Sequence, residues 1–166
     1  LVVVTLVACG GPSQQPGDRG QKPIVIGLIA KSQSNPVFQA ARVGAEDAAA
    51  ALSKKYGVPI TIDWRTPNDE DAQQQANSIE TLVNLGARGI IISCSDASMV
   101  TSAIDAAVKD GVPVACFDSD APASRRFYFF GIDQAECGRE TAMKLCEVMG
   151  DSGVVAILGG NQNAPN

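Results

Sequence analysis

Short runs of branched apolar residues recur along the chain, and longer stretches separate them in which apolar positions return every three or four residues. Pro23–Ala30 (PIVIGLIA) is continuous rather than alternating, which predicts a strand buried on both faces. Asn35-Pro36 then offers a side-chain cap and a proline at the first helical position. Val37, Ala41, Ala45, Ala48 and Leu52 follow at helical spacing, down to Tyr56-Gly57. Val58–Arg65 (VPITIDWR) predicts a second strand. Asp69-Glu70-Asp71 opens a second helix with the charge that its dipole favours. Ala76, Ile79, Leu82 and Val83 form the apolar face of that helix, and Gly86 ends it.

The pattern continues through a third buried strand, Gly89–Cys94 (GIIISC), and a helix over Asp96–Lys109 stopped by Gly111. Pro113–Phe117 (PVACF) predicts a fourth strand, ending in Asp118-Ser119-Asp120. Arg126–Ile132 predicts a fifth, aromatic strand, Gln134–Met149 a fourth helix and Gly153–Leu158 (GVVAIL) a sixth strand. Gly159–Asn166 reads as a loop. Strict strand–helix alternation with buried strands predicts an α/β fold, a parallel sheet with helices on both faces. Ligands of such sheets sit at the carboxyl ends of the strands. That singles out Lys31–Asn35, Thr66–Asn68, Ser93–Asp96, Asp118–Pro122 and Gly159–Asn166.

Composition narrows the chemistry. At 166 residues the chain is one domain of ~100–200 residues or part of a larger protein. Thirteen basic against 18 acidic residues leave a net charge of −5, the wrong sign for nucleic acid. There is no histidine, so a Ser-His-Asp triad, a Cys-His dyad, an HExxH zinc site and an imidazole base are excluded. There is no CxxC pair, and no metal or cofactor is expected. The loop after the first strand lacks the glycines of GxGxxG, and neither GxxxxGK(S/T) nor GxSxG occurs. What the strand-end loops carry instead is Asn, Ser and Asp with a nearby Phe, which are hydroxyl-recognition groups.

The N-terminal segment has its own logic. Leu1–Ala8 (LVVVTLVA) is uncharged and too short for a bilayer, which takes ~20 residues. It fits the tail of a secretory signal peptide whose basic start and Met are missing. Leu6-Val7-Ala8-Cys9 resembles the lipobox of bacterial lipoproteins, which implies a lipid on Cys9. Residues 9–22 then form a Gly/Pro/Ser/Gln-rich tether. The plain alternative is an apolar strand with an incidental Cys. The anchor reading predicts a protein outside the cytoplasm, in the periplasm or on the outer face of a bacterial membrane, held there by lipid alone.

Four stretches carry a wider likeness: Ser34-Asn35-Pro36-Val37-Phe38, Gly89–Ser93 with Asp96-Ala97, Pro113–Asp120, and Gly131-Ile132-Asp133-Gln134 with Gly138. In this order the chain resembles the ribose-binding-protein type of periplasmic solute receptor, over roughly 22–160. The resemblance implies two lobes closing on a monosaccharide-like ligand, delivery to an ABC transporter permease, and no enzymatic activity. It implies that 23–131 is sugar-binding lobe one and that 132–166 is a hinge plus the start of lobe two. It also implies that Asp118 accepts hydrogen bonds from two sugar hydroxyls, that Asn35 and Phe38 contact the ligand, and that Asp133 belongs to the hinge. Ser119 stands where ribose receptors carry an Arg, and Val37 where an aromatic is usual. Ser119, Lys31 and Ser32 complete the candidate rim.

Each candidate has a structural alternative. Asp118 can cap a turn, Asn35 a helix, and Phe38 can pack in the first helical turn. Asp96 reads as a helix cap, and Trp64 packs with Ile60 and Ile62 on the second strand. Gln162 and Asn163 lie in the last loop. Cys94 and Cys116 end neighbouring strands, either bridged or as buried free thiols. Cys137 and Cys146 are too far apart on one helix to bridge each other. Arg125-Arg126 reads as a solvated strand start. Other functions compatible with the fold are a receptor feeding a chemoreceptor or sensor kinase, and the effector domain of a sugar-responsive repressor. The latter needs a helix-turn-helix where this chain has an export-type segment.

Overall fold

The computed structural model describes residues 22–150 and 152–159. The apolar segment 1–8, Cys9, the tether through residue 21, Gln162 and Asn163 lie outside the described residues. The chain runs β1 (Ile24–Ile29), α1 (Pro36–Tyr56), β2 (Ile60–Trp64), α2 (Ala72–Asn84), β3 (Gly89–Ile92), α3 (Ala97–Lys109), β4 (Val114–Phe117), β5 (Tyr128–Phe130) and α4 (Gln134–Met149). All five strands pair in parallel, in the order β2-β1-β3-β4-β5. The connection from β1 goes outward to β2, and the next returns across β1 to β3. A topological switch point therefore lies between β1 and β3, where a crevice opens at the carboxyl edge.

The helices start and stop where the side chains dictate. The Asn35 Oδ1 accepts the Val37 N–H at 2.9 Å and Pro36 opens α1. Gly57, at φ 66°, takes the left-handed conformation that ends α1, and its N–H donates to Ser53 O at 2.9 Å. Asp71, Asp96 and Asp133 cap α2, α3 and α4 in the same manner.

Strand alternation sorts the core. Ile29, Ile90, Ile92, Val114 and Cys116 point to the face covered by α2 and α3, where Ile79, Leu82, Val100 and Ile104 are fully buried. Ile26, Ile60 and Ile62 point to the opposite face and meet Ala45, Ala49 and Leu52 of α1. Gly27 is where α2 comes closest: a Cβ there would sit 2.3 Å from Leu82 Cδ1. This glycine is needed for close helix–sheet approach, not for its dihedral freedom.

The structure departs from the sequence expectation in two places. The fifth strand is only three residues long, because Arg126 and Phe127 are taken up by the turn before it and Gly131 leaves the sheet edge after it. Residues 131–133 lead directly into α4, none of whose residues is buried. The expected sixth strand at 153–158 is not formed, and Val154, Ile157 and Leu158 are exposed. A β-rich run becomes a strand only beside a partner, and among the described residues none flanks it.

Replacing Gly27 by Ala should force Leu82 out of its rotamer and destabilise the protein by about 1–3 kcal/mol, without changing its secondary structure. Urea unfolding checks this; an unchanged midpoint would show that the helix–sheet contact is looser than described.

Candidate functional site

The carboxyl edge gathers polar residues that are unusually buried for their type. Lys31 and Ser32 follow β1 at 6% and 8% exposure, and Ser93 and Ser95 follow β3 at 0% and 3%. Asp118 follows β4 with φ 57° and is the only non-glycine residue in the left-handed region among those described. Asp tolerates that region better than most residues, but at a cost, so the surroundings must hold it there. They do so through the backbone: the Asp118 N–H donates to Phe130 O at 2.9 Å, and the Ser119 N–H donates to Phe117 O at 2.5 Å. The chain thus turns sharply about Asp118 and presents its carboxylate at the end of the sheet.

That carboxylate is anchored on one side. Ser93 Oγ donates to Asp118 Oδ2 at 2.9 Å, and Lys31 Nζ stands 4.0 Å from the same oxygen. The Asp118 side chain keeps 39% exposure against 7% for Lys31. A carboxylate offers about four acceptor positions, so this one retains capacity for further donors. It borders an open hollow of about 390 Å³, lined by Phe117, Phe130, Gly131, Ile132 and Gln134. The hollow combines one anionic acceptor with apolar walls. A smaller hollow of about 280 Å³ between α2 and α3, lined by Ile79, Glu80, Val83 and Asp110 among others, lies away from the strand ends.

The structure brings Lys31, Ser93 and Asp118 together and distributes the other candidates differently. Asn35 uses its Oδ1 to cap α1. Phe38 is buried at 4% exposure, with its ring edge-on to Phe117 at 6.4 Å between centroids, so it packs against the aromatic that lines the hollow. Ser119 is buried at 1% and its carbonyl accepts the Cys94 N–H at 3.1 Å, which ties β4 to β3. Asp133 caps α4 through the Glu136 N–H at 2.9 Å. Asp96 caps α3, and the hydroxyl of Ser98 and the backbone N–H groups of Met99 and Ser98 hold its carboxyl below the usual range. Trp64 is half-buried on β2 with the Arg42 guanidinium 5.7 Å from its ring centroid.

The cysteines are all free among the described residues. Cys94 and Cys116 are buried with sulfurs 3.9 Å apart and share a hydrogen bond. That bond and burial push the Cys94 thiol up, while acceptance of the bond draws Cys116 down. Cys137 and Cys146 are exposed on α4. Arg126 differs from its sequence reading: it is partly buried and forms a two-pronged ion pair with Asp120, with Nη2–Oδ2 at 2.6 Å, while its guanidinium lies 5.9 Å from the Phe129 ring. Burial works against the Asp120 charge. The Arg126 guanidinium and the Ala121 N–H outweigh it and hold the carboxyl below its ordinary value.

Sequence reasoning missed Gln75 and named Thr66 only as part of a strand-end segment. Gln75 of α2 is fully buried, and its Nε2 donates to Ala30 O at 2.9 Å and Ser93 O at 2.8 Å. Its Oε1 accepts the Ser95 N–H at 2.9 Å. Thr66, after β2, accepts the Ala30 N–H on its Oγ1 at 2.7 Å. The signal was a Gln falling in line with the apolar face of α2, beside Ala76 and Ile79.

The polar residues of this parallel α/β sheet gather at a switch point, where ligands of such sheets bind. The chain belongs to the periplasmic binding protein family: residues 26–166 match the model of a periplasmic binding protein domain. It is 28% identical over 164 residues to the ribose import binding protein RbsB of Bacillus subtilis (strain 168), covering 96% of this chain and 52% of that protein. It is 29% identical over 100 residues to a D-apiose import binding protein of Paraburkholderia graminis, covering 60% of this chain and 30% of that one. Its fold superposes with a TM-score of 0.76 on an ABC transporter solute binding protein from Burkholderia graminis C4D1M, crystallised in complex with D-arabinose. That match has 27% identity and covers 85% of this chain and 46% of the other. The chain therefore spans about half the length of the relatives it matches over most of its own length.

The Asp120–Arg126 pair makes stability pH-dependent with a definite sign. A carboxyl whose pKa is depressed on folding adds stability above its unfolded value of about 3.9, and that contribution is lost as pH falls through the folded pKa. Asp120→Asn should be less stable than the parent at neutral pH, with the gap closing toward about pH 2. Unfolding curves across that range test it, and a gap independent of pH would refute it.

Proposed function

We propose that this chain is the greater part of the first lobe, with the start of the second, of an extracytoplasmic receptor for a monosaccharide-like ligand. The observation that carries the reading is Asp118. It is held in a left-handed turn at the sheet edge, anchored through one oxygen by Ser93 and Lys31, and set beside a hollow with aromatic walls. A sugar presents hydroxyl donors at its rim and C–H faces across its ring, so a carboxylate beside aromatic side chains complements it. The names of the relatives, ribose and D-apiose import binding proteins and a D-arabinose complex, point to the same ligand class.

On this reading residues 23–131 supply one wall of the cleft, with Lys31, Ser32, Asn35, Phe38, Asp118 and Ser119 at or just beneath the rim. The segment around Asp133 crosses toward the second lobe, and hinge closure buries the ligand between the lobes. The loaded form then delivers it to an ABC transporter permease, and no bond in the ligand is made or broken. A lipid on Cys9 keeps the receptor at the membrane surface through the tether and raises its effective concentration near the transporter. None of the described helices is long and apolar enough to cross a membrane.

Calorimetric titration of the full-length protein with D-ribose, D-arabinose, D-apiose and common hexoses tests the proposal. One sugar should bind, and Asp118→Ala should weaken it by roughly 1.5–3 kcal/mol, about ten- to a hundredfold in Kd, because charge-assisted hydrogen bonds are lost. Unchanged affinity in that variant would remove Asp118 from the site, and no binding across the panel would refute the ligand class. Cys9→Ser should release the protein from the membrane fraction; continued membrane association would refute the anchor.

A further inference from the structure

The last ladder bond between β1 and β3 runs from the Ser93 N–H to Ile29 O at 2.9 Å. Beyond it the two strands part at the switch point, and the carbonyls of Ala30 and Ser93 and the N–H of Ser95 are taken up by a side chain instead. These are the residues that immediately precede Lys31, carry the hydroxyl on Asp118, and begin the turn into α3. Gln75, reaching over from α2, closes all three: its amide donates to Ala30 O and Ser93 O and accepts from the Ser95 N–H. The partners lie 45, 18 and 20 residues from it in sequence. Thr66 extends the brace to the end of β2 by accepting the Ala30 N–H. The line of contacts thus runs from β2 through β1 and β3 to the carboxylate after β4.

We propose that Gln75 is a positioning residue for ligand binding: its buried amide sets the separation of the β1 and β3 ends and thereby the placement of Lys31, Ser93 and Asp118. The proposal rests on the Asp118 rim being the ligand site. No other side chain meets the same demand. An apolar residue of equal length leaves two buried carbonyls and a buried N–H unpaired, and Glu keeps only the acceptor for Ser95. Asn is too short to reach across both strands from α2. The amide touches no ligand; it acts through the backbone of residues that do.

The test compares full-length wild type, Gln75→Met, Gln75→Glu and Ile79→Ala. Ile79 is buried on the same helix one turn further on, and its side chain has no polar group, so its truncation loosens the core without touching the rim. Two quantities are read: Kd for the sugar that wild type binds, and amide hydrogen exchange at residues 93–95 and 118–119 without ligand. Both Gln75 variants should raise Kd by roughly tenfold or more and accelerate exchange along the rim, while Ile79→Ala lowers Tm but leaves Kd within about twofold. Gln75→Glu should retain more protection at Ser95 than Gln75→Met. Unchanged affinity in whichever Gln75 variant folds, or a loss matched by Ile79→Ala, overturns the proposal. If wild type binds no sugar, the ligand reading fails by itself. Exchange then decides the brace: local acceleration in the Gln75 variants alone upholds it, and a uniform change across the chain overturns it.

Discussion

A parallel sheet ends in backbone carbonyls and amides that no further strand can pair, and at a switch point those groups are buried as well as unpaired. Leaving one such group without a partner costs about 1–3 kcal/mol, so the fold must close them. Here the buried amide of Gln75 and the hydroxyl of Thr66 do so, across strands far apart in sequence. Everything at the carboxyl edge is placed relative to that closure. β1 and β3 reach it together, and the residue after each strand emerges at a set height.

The same edge stores unfavourable arrangements that only a rigid frame sustains. A lysine at 6% exposure needs an opposite charge nearby, and Asp118 provides one at 4.0 Å. Asp118 in turn adopts a left-handed backbone that a β-rich chain would avoid, held by bonds from its own N–H and that of Ser119. Just behind it, the Asp120–Arg126 ion pair secures the loop that leads to β5. Strain and buried charge concentrate at one end of the sheet, while the opposite face and the helices follow ordinary packing rules.

The apolar layers explain why this end stays open. α2 and α3 cover one face of the sheet with fully buried Ile, Leu and Val, and Gly27 lets α2 approach closely. α1 covers the other face beside β1 and β2, and Phe38 at its start wedges against Phe117. The helices thus enclose the middle of the sheet and leave its carboxyl edge to polar groups.

By itself the sequence determined the alternation of strands and helices, the caps at Asn35 and Asp96, the parallel sheet and the end of it where polar residues gather. Those features are local: apolar period, β-branched runs and capping residues all act within a few positions of one another. The place of Asp118, a carboxylate directly after a buried strand, was legible for the same reason. Only the tertiary structure decided which polar groups meet. The apolar period shows that a helix face is buried but not which backbone groups it meets, so Gln75 passed as one more polar residue on α2. It likewise decided that Phe38 turns inward, that Arg126 pairs with Asp120, and that 153–158 forms no strand. Each depends on a partner supplied by register and packing across the sheet, and a sequence read along one dimension holds no record of who stands opposite.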